Sequence, residues 1–311
     1  MKGLTLKQIR YFEALARHRT FGRAAEACAV TQPALSMQIK ELEEMAGTPL
    51  LERGPRQIRL TAFGEMFLTR AQAMLAIIDD LDDLARAAAG QPAGKLRLGV
   101  IPTIAPYLLP AVITRLSQQF PGLMPILRET MTSRLIEELN EGRIDAAILA
   151  LPVSEPALTE VSLFTERFVL IRQIADADRP VPSRDMLREM RLLLLEEGHC
   201  FRDQALSFCD MPSTQPREML DGSSLSTLVQ MVGVGIGVTL IPEMAVPIET
   251  RSAAVSVARF RDPQPVRTIG MVWRRSSGME AQLLQIAEVV RHCGLTLRQA
   301  SGLTTLPGWR R

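Results

Sequence analysis

The sequence predicts an α/β chain in three parts: a small helical head, one long connecting helix, and a larger body in which strands and helices alternate. Three observations carry this. The first 60 residues parse into short helices closed by a ribbon. Residues 62–89 contain no proline and hold one apolar stripe throughout. From residue 95 short apolar runs of strand length alternate with segments of helical period.

In the head, Leu6, Ile9, Phe12, Leu15 and Ala16 recur at helical spacing. Thr20 is placed to cap a second helix, Phe21 to Cys28, whose Ala24, Ala25 and Ala27 allow close packing. Ala29 and Val30 form a break. Thr31 is placed to cap a third helix with Pro33 in its first turn, where a missing N–H costs nothing. Leu35, Ile39, Leu42 and Met45 give that helix its apolar stripe. Its other face shows Gln32, Ser36, Gln38 and Lys40. Residues 49–61, PLLERGPRQIRLT, read as a two-stranded ribbon turning at Gly54-Pro55, with Arg53, Arg56 and Arg59 projecting.

Two short helices around a tight break, the second polar on one face, predict a helix-turn-helix. Gln32, Ser36, Gln38 and Lys40 can bond base edges and phosphates in a major groove. Arg53, Arg56 and Arg59 on the ribbon can reach neighbouring phosphates. A small helical bundle with no ligand would share this spacing.

The connecting helix places Phe63, Phe67, Ala71, Met74, Ile78, Leu81, Ala85 and Ala88 at steps of three or four. Such a helix, about 42 Å long, pairs with a second copy of itself when no globular neighbour covers its stripe. Gly90-Gln91-Pro92-Ala93-Gly94 reads as a hinge. The body then gives strands at Lys95–Ile101, Ile126–Glu129, Ala146–Leu151, Arg167–Arg172, Leu192–Glu196, Gly237–Ile241 and Thr268–Trp273. Helices fall at Leu108–Phe120, Ser133–Asn140, Cys200–Phe208, Ser224–Val232 and Glu280–Cys293. The alternation predicts parallel sheets. The end of the chain, from Arg298, has little to pack and reads as a loose tail. GVGIGVT at 233–239 follows a helix and leads into a strand, the reverse of a dinucleotide loop, and reads as a packing turn.

Composition bounds the function. The 311 residues are 47% hydrophobic and 23% charged, with a net charge of +2, which excludes a uniformly basic nucleic-acid coat. The charge is unevenly spread: residues 1–40 carry seven Lys or Arg against Glu13 and Glu26, whereas residues 66–92 hold four Asp and two Arg. That is a basic head on an otherwise neutral body. The excess of Arg over Lys, 32 to 4, reads as codon usage. No run reaches the roughly 20 apolar residues of a membrane span, and Lys7 and Arg10 interrupt any signal-peptide core. Four cysteines, at 28, 200, 209 and 293, are too few for a disulfide scaffold. The expectation is a cytoplasmic, reduced protein.

In such a compartment the segment LLLLEEGHCFRDQALSFCD (192–210) poses a chemical question. Cys200 opens an amphipathic helix, beside His199 and Arg202, a setting that favours thiolate. Cys209 ends the same helix. Nine helical steps separate their Cα atoms by about 13.5 Å, while a disulfide needs roughly 4.4–6.8 Å. Joining them would require the helix to unwind, which is the form of a redox switch. Two small buried hydrophobes would give the same spacing. Cys28 reads as core packing in the head. A metal site from Cys200, Cys209, His292 and Cys293 lacks CxxC or HxxxH spacing, and no metal or cofactor is expected.

The head resembles a known family. Residues 4–64, nearly throughout LKQIRYFEALARHRTFGRAAEACAVTQPALSMQIKELEEMAGTPLLERGPRQIRLTAFG, are similar to the winged helix-turn-helix of LysR-type transcriptional regulators, most tellingly in TFGRAAEACAVTQPALSMQIKELEEMAGTPLLER and the closing LTAFG. Length and order match as well. The resemblance implies a winged helix-turn-helix over 1–61, a dimerising linker helix over 62–89 and a hinge over 90–94. It implies a periplasmic-binding-protein-like effector domain of two α/β subdomains joined by crossing strands: subdomain I over 95–166, subdomain II over 167–267, a return to I over 268–299, and a loose tail over 300–311.

EEGHCFRDQALSFC further resembles the switch segment of the hydrogen-peroxide-sensing branch of that family, as do IPTIAPYLLP (101–110) and VRTIGMVWR (266–274). That likeness implies that Cys200 is the peroxide-reacting thiol and Cys209 the resolving one. It implies a peroxide pocket of Thr103, Thr132, His199, Asp203 and Arg267, although Thr103 could instead cap the helix after it. The partners implied are double-stranded promoter DNA, RNA polymerase, further copies of the chain as a homodimer assembling to a homotetramer, hydrogen peroxide, and a thiol reductant of glutaredoxin or thioredoxin type. The protein would be an activator of antioxidant genes and not an enzyme. Other readings are a regulator of this family bound by a small organic effector, a thiol peroxidase, and a pure interaction module.

Overall fold

The computed structural model describes residues 3–53, 58–87, 92–209, 221–261 and 264–303. The chain divides into two units, one built on the head and most of the long helix, the other on the α/β body.

Thr5 starts helix α1 (Leu6–His18) with a capping box: its hydroxyl accepts from the Gln8 backbone N–H while the Gln8 side chain accepts from the Thr5 N–H. Helix α2 (Phe21–Ala27) and helix α3 (Gln32–Ala46) follow, separated by Ala29 at φ 53°. Thr20 and Thr31 hold the N-cap positions, but neither hydroxyl makes the cap bond expected of it. Packing carries these helices instead. Phe12, Leu15, Ala24, Ala25, Leu35, Ile39 and Leu42 bury one another. Strands β1 (Leu51–Arg53) and β2 (Ile58–Leu60) pair antiparallel, Leu51 opposite Leu60. The Glu43 carboxylate accepts from the Leu50 and Leu51 N–H groups and fastens α3 to the ribbon. The turn assigned to Gly54-Pro55 lies outside the described residues.

Helix α4 (Ala62–Ala87) starts on this core, with Phe67 edge-on to Phe12 at a 5.5 Å centroid distance. Further along it, Met74, Ile77 and Leu81 are exposed. The last two residues of the expected linker helix, 88 and 89, and residues 90 and 91 of the hinge are outside the described residues; Gly94 already begins a strand.

In the body, β3 (Gly94–Val100), α5 (Ala105–Gln119), β4 (Leu123–Glu129), α6 (Thr132–Asn140) and β5 (Ala146–Leu151) form a parallel half-sheet in the order β4-β3-β5. Strand β6 (Leu158–Gln173) then runs for 16 residues. Beyond it come α7 (Arg184–Glu189), β7 (Leu192–Leu195), α8 (Cys200–Phe208), β8 (Asp221–Gly222), α9 (Leu225–Gly233), β9 (Val238–Pro242), α10 (Val246–Glu249) and β10 (Val255–Ala258). Strand β11 (Val266–Arg274) returns antiparallel between β5 and β6. Helix α11 (Glu280–Leu303) closes the body.

The expectation of parallel sheets holds for β3, β4 and β5 and for β7, β8 and β9. It fails at β6 and β11, which are antiparallel to their neighbours because they carry the chain between the two halves and back. The looseness expected from Arg298 does not hold up to Leu303, and residues 304–311 lie outside the described residues. Leu297 packs against the core and Arg298 donates to the Thr165 hydroxyl, so α11 continues through Leu303. The 233–239 turn is a packing turn: Gly235 holds φ +83°, and a Cβ on Gly237 would lie 2.3 Å from the Arg191 carbonyl oxygen.

Candidate functional site

The parallel strands end on three strand-to-helix junctions, the place where open α/β sheets take their ligands. Thr103 lies between β3 and α5, Thr132 opens α6 after β4, and His199 and Cys200 open α8 after β7. Two of these junctions touch. A Cβ built on Gly198, which holds φ +96°, would come within 2.9 Å of Met131 Sδ. Only glycine allows both the backbone and the approach.

Arg267 on β11 ties the third junction in. Its side chain is fully buried, and its Nε donates to Glu166 Oε2 at 2.9 Å, with Nη2 2.8 Å from the same oxygen. Nη1 donates to Thr103 Oγ1 at 2.8 Å and Nη2 to the Thr103 carbonyl at 3.0 Å. Thr103 is therefore a guanidinium acceptor, and Ile104, not Thr103, holds the N-cap position of α5. The guanidinium carbon also lies 5.5 Å from the centre of the Phe201 ring, a cation–π contact with the residue after Cys200. Burial pushes the Glu166 carboxyl up, opposed by the Arg267 charge and by the Met244 N–H that donates to it.

Helix α8 has a thiol at each end. Cys200, half-buried, is its first residue, and buried Cys209 is its C-cap. Neither is part of a disulfide. About 13.5 Å of helix separates their Cα atoms. Packing holds the helix in place: Phe201 lies against Phe168 at 4.8 Å, Phe208 against Phe260 at 5.1 Å, and Arg188 Nε donates to the Cys209 carbonyl at 2.8 Å.

The structure separates the expected contributions to Cys200. The helix N-terminus is present. The charged neighbours are not as expected. Burial pushes the His199 imidazole down, towards its neutral form, and Arg202 donates to the Leu195 carbonyl at 2.8 Å. The Thr132 hydroxyl is buried and finds no hydrogen-bond partner among the described residues, which leaves it able to serve a ligand. Asp203 is exposed in the first turn of α8 rather than enclosed with Thr103 and Arg267; an acid there complements the helix N-terminus. Sequence reasoning missed Glu166, which lies one residue before the expected strand Arg167–Arg172 and gave no sign of a buried ion pair.

On the head, Gln32 and Lys40 are exposed along α3 and Ser36 is partly exposed, away from the buried Leu35, Ile39 and Leu42. Gln38 is partly exposed like Ser36, and its amide nitrogen donates to Glu41 at 2.8 Å. Met37, not anticipated, is 57% exposed midway along the same helix. Arg59 is exposed on β2, and Arg53 ends β1. Arg56 is outside the described residues.

A helix-turn-helix with a two-stranded wing, a long helix, and an α/β body of two half-sheets joined by crossing strands define a DNA-binding regulator with its own sensor module. Residues 6–65 match the bacterial regulatory helix-turn-helix protein model of the lysR family, and residues 89–293 match the LysR substrate binding domain. The chain belongs to the LysR family of transcriptional regulators. It is 39% identical over 308 residues to the DNA-binding transcriptional dual regulator OxyR of Escherichia coli (strain K12), covering 96% of this chain and 100% of that one. Among solved structures it resembles full-length OxyR from Pseudomonas aeruginosa, a cysteine-to-aspartate variant, with TM-score 0.75 and 36% identity over 93% of this chain and 98% of that one. It also resembles a hydrogen-peroxide-bound cysteine-to-serine mutant of Corynebacterium glutamicum OxyR, with TM-score 0.67 and 33% identity over 96% of each chain. Among the described residues no helix is long and apolar enough to cross a membrane.

Proposed function

We propose that this regulator senses hydrogen peroxide through Cys200 and Cys209 and converts their oxidation into a change in promoter binding. One observation carries the reading: the two thiols occupy opposite ends of one helix whose second residue, Phe201, packs under the guanidinium of the Arg267–Thr103 cluster. The names of the OxyR relatives support it.

The chemistry balances as follows. The Cys200 thiolate attacks one peroxide oxygen, forming an S–O bond while the O–O bond breaks. The other oxygen leaves as hydroxide and takes a proton to become water. Sulfur is oxidised to sulfenic acid. Cys209 sulfur then attacks Cys200 sulfur, forming the disulfide and releasing water. Thr103, Thr132, His199 and Arg267 line the proposed pocket, with Asp203 on its solvent side. The disulfide cannot form on an intact α8, so closure unwinds the helix and breaks the Phe208–Phe260 and Arg188–Cys209 contacts. A thiol reductant of glutaredoxin or thioredoxin type restores the dithiol in the reducing cytoplasm.

Refolding of 200–209 alters packing between subunits. The exposed Met74, Ile77 and Leu81 suit pairing of linker helices into a dimer, and effector modules complete a tetramer. Gln32, Ser36, Gln38, Lys40, Arg53, Arg56 and Arg59 then meet promoter DNA, and oxidation recruits RNA polymerase. The chain works as a switch, not as a turnover enzyme.

The test is peptide mass spectrometry after a stoichiometric peroxide pulse. A Cys200–Cys209 disulfide that forms in the wild type and is lost in Cys200→Ser, together with altered promoter footprints, supports the reading. No disulfide sinks it. Continuous peroxide turnover with thioredoxin would make the protein a thiol peroxidase instead.

A further inference from the structure

Glu166 faces Arg267 directly across the β6–β11 ladder, at the end of the sheet nearest Thr103. Both carboxylate oxygens are engaged. Oε2 takes the Arg267 Nε–H and lies 2.8 Å from Nη2, and Oε1 accepts from the Met244 backbone N–H at 3.0 Å. The acid is itself almost fully buried and held by backbone, so it cannot follow the guanidinium if that group moves. Arg267 is thus fixed on one edge by Glu166, on another by Thr103, and on its face by Phe201.

A buried guanidinium without this carboxylate is no longer held in place and can turn toward another negative charge. The Cys200 thiolate adjoins Phe201, the ring on which the guanidinium already rests. An arginine paired tightly to the thiolate stabilises the reactant. An arginine held beside it, aimed at the departing oxygen, stabilises the charge that develops as the O–O bond breaks. Only the second lowers the barrier.

We propose that Glu166 is a positioning residue for peroxide reduction: it anchors Arg267 against Thr103 and Phe201, so that the cation serves the leaving hydroxide instead of collapsing onto Cys200. The inference rests on the peroxide-sensing reading. Its step is the one written above, with the thiolate donating the electron pair and the leaving oxygen departing as hydroxide.

The experiment measures the pH profile of Cys200 oxidation by hydrogen peroxide in the reduced full-length chain. Alkylation of the same residue by iodoacetamide runs beside it, both followed by peptide mass spectrometry. Alkylation needs the thiolate but no help at a leaving hydroxide. For Glu166→Gln the high-pH plateau of the peroxide rate falls about 10- to 100-fold, several-fold more than the alkylation plateau, which pairing of the thiolate with the arginine lowers only through the shared nucleophile. Glu166→Asp, which keeps the charge but shortens its reach, gives an intermediate loss. In an Arg267→Gln background, Glu166→Gln causes no further loss, because its action runs through that guanidinium.

Equal loss of both plateaus marks Glu166 as general support for the fold and overturns the proposal. So does an unchanged peroxide plateau in both Glu166 variants, or an undiminished further loss in the Arg267→Gln background. A wild-type chain that does not reduce peroxide at Cys200 refutes the sensing reading itself, whereas a reactive wild type with insensitive Glu166 variants refutes only the positioning role.

Discussion

Tyr107 on α5 donates its phenolic hydrogen to Glu249 on α10 at 2.6 Å, and both side chains are buried. Ser226 on α9 donates to the other carboxylate oxygen, also at 2.6 Å. Polar contacts therefore join the two halves of the body here as well as at Arg267–Thr103 and at Glu166 with Arg267 and Met244. Burial and the neighbouring carboxylate raise the Tyr107 phenol, so it remains a donor throughout the neutral range. If α8 refolds on oxidation as proposed, these cross-links tie the response of one half to the other.

Tyr107→Phe should be destabilising by about 1–3 kcal/mol, since it removes one partner and leaves a buried carboxylate oxygen short of a donor. Scanning calorimetry of the reduced protein should show a lower midpoint, by about 2–4 °C per kcal/mol for a domain of this size. The Cys200 peroxide rate should be unchanged, because neither residue touches that site.

His199 gives the protein a pH dependence of definite sign. Burial holds its folded-state pKa below the ordinary value of about 6.5. The unfolded chain therefore binds the proton more readily than the folded one. Its contribution to stability is fully present above the unfolded value and declines as pH falls through 6.5 towards the depressed folded value. Urea midpoints measured from pH 7.5 down to 5 should fall over that window. His199→Asn should remove that component of the slope, and an unaltered slope in the variant would assign the pH dependence elsewhere.

The four cysteines should behave unequally. Burial raises the thiols of Cys28 and Cys293, and both pack among apolar side chains. They should remain thiols near neutral pH and react slowly. Peroxide should therefore leave Cys28 and Cys293 unoxidised at doses that convert Cys200 and Cys209. A Cys28→Ser, Cys293→Ser double variant should keep the full peroxide response, read by tryptic mapping.

What the sequence revealed depended on whether the signal was local. The helix of Cys200–Phe208 and the strand of Ala146–Leu151 were legible to the residue, because period and flanking breaks agree there. Strand β6 was read as Arg167–Arg172 and runs from Leu158, because its first half gains its pairing from β11, about a hundred positions away in sequence. The short α7 and β10 carried too few periods to register. At the site, the resemblance named Thr103 and Arg267, but the acid that holds Arg267 is a long-range partner with no motif of its own. Nor could sequence spacing show that Gln38 bonds Glu41 while Met37 stands exposed.

That last difference leads to a prediction about base reading. On α3, Met37 projects from the face opposite Leu35, Ile39 and Leu42, on the same helix as Lys40. An apolar side chain in the major groove can meet only one apolar feature on base edges, the 5-methyl of thymine. Lys40 should meet phosphate as a point charge, since its pairing with Glu44, at 3.7 Å and exposed, is too weak to hold it back. The two residues should therefore separate in a binding assay. Replacing single thymines of a bound promoter half-site with uracil, which removes only the methyl, should weaken wild-type binding at one position. Met37→Ala should bind the two forms alike there while keeping the wild-type salt dependence. Lys40→Gln should weaken binding to every sequence and reduce the slope of log K against log salt by about one. If Met37→Ala keeps its sensitivity to uracil at every position, Met37 does not read the groove, and specificity rests with Gln32, Ser36 and the wing.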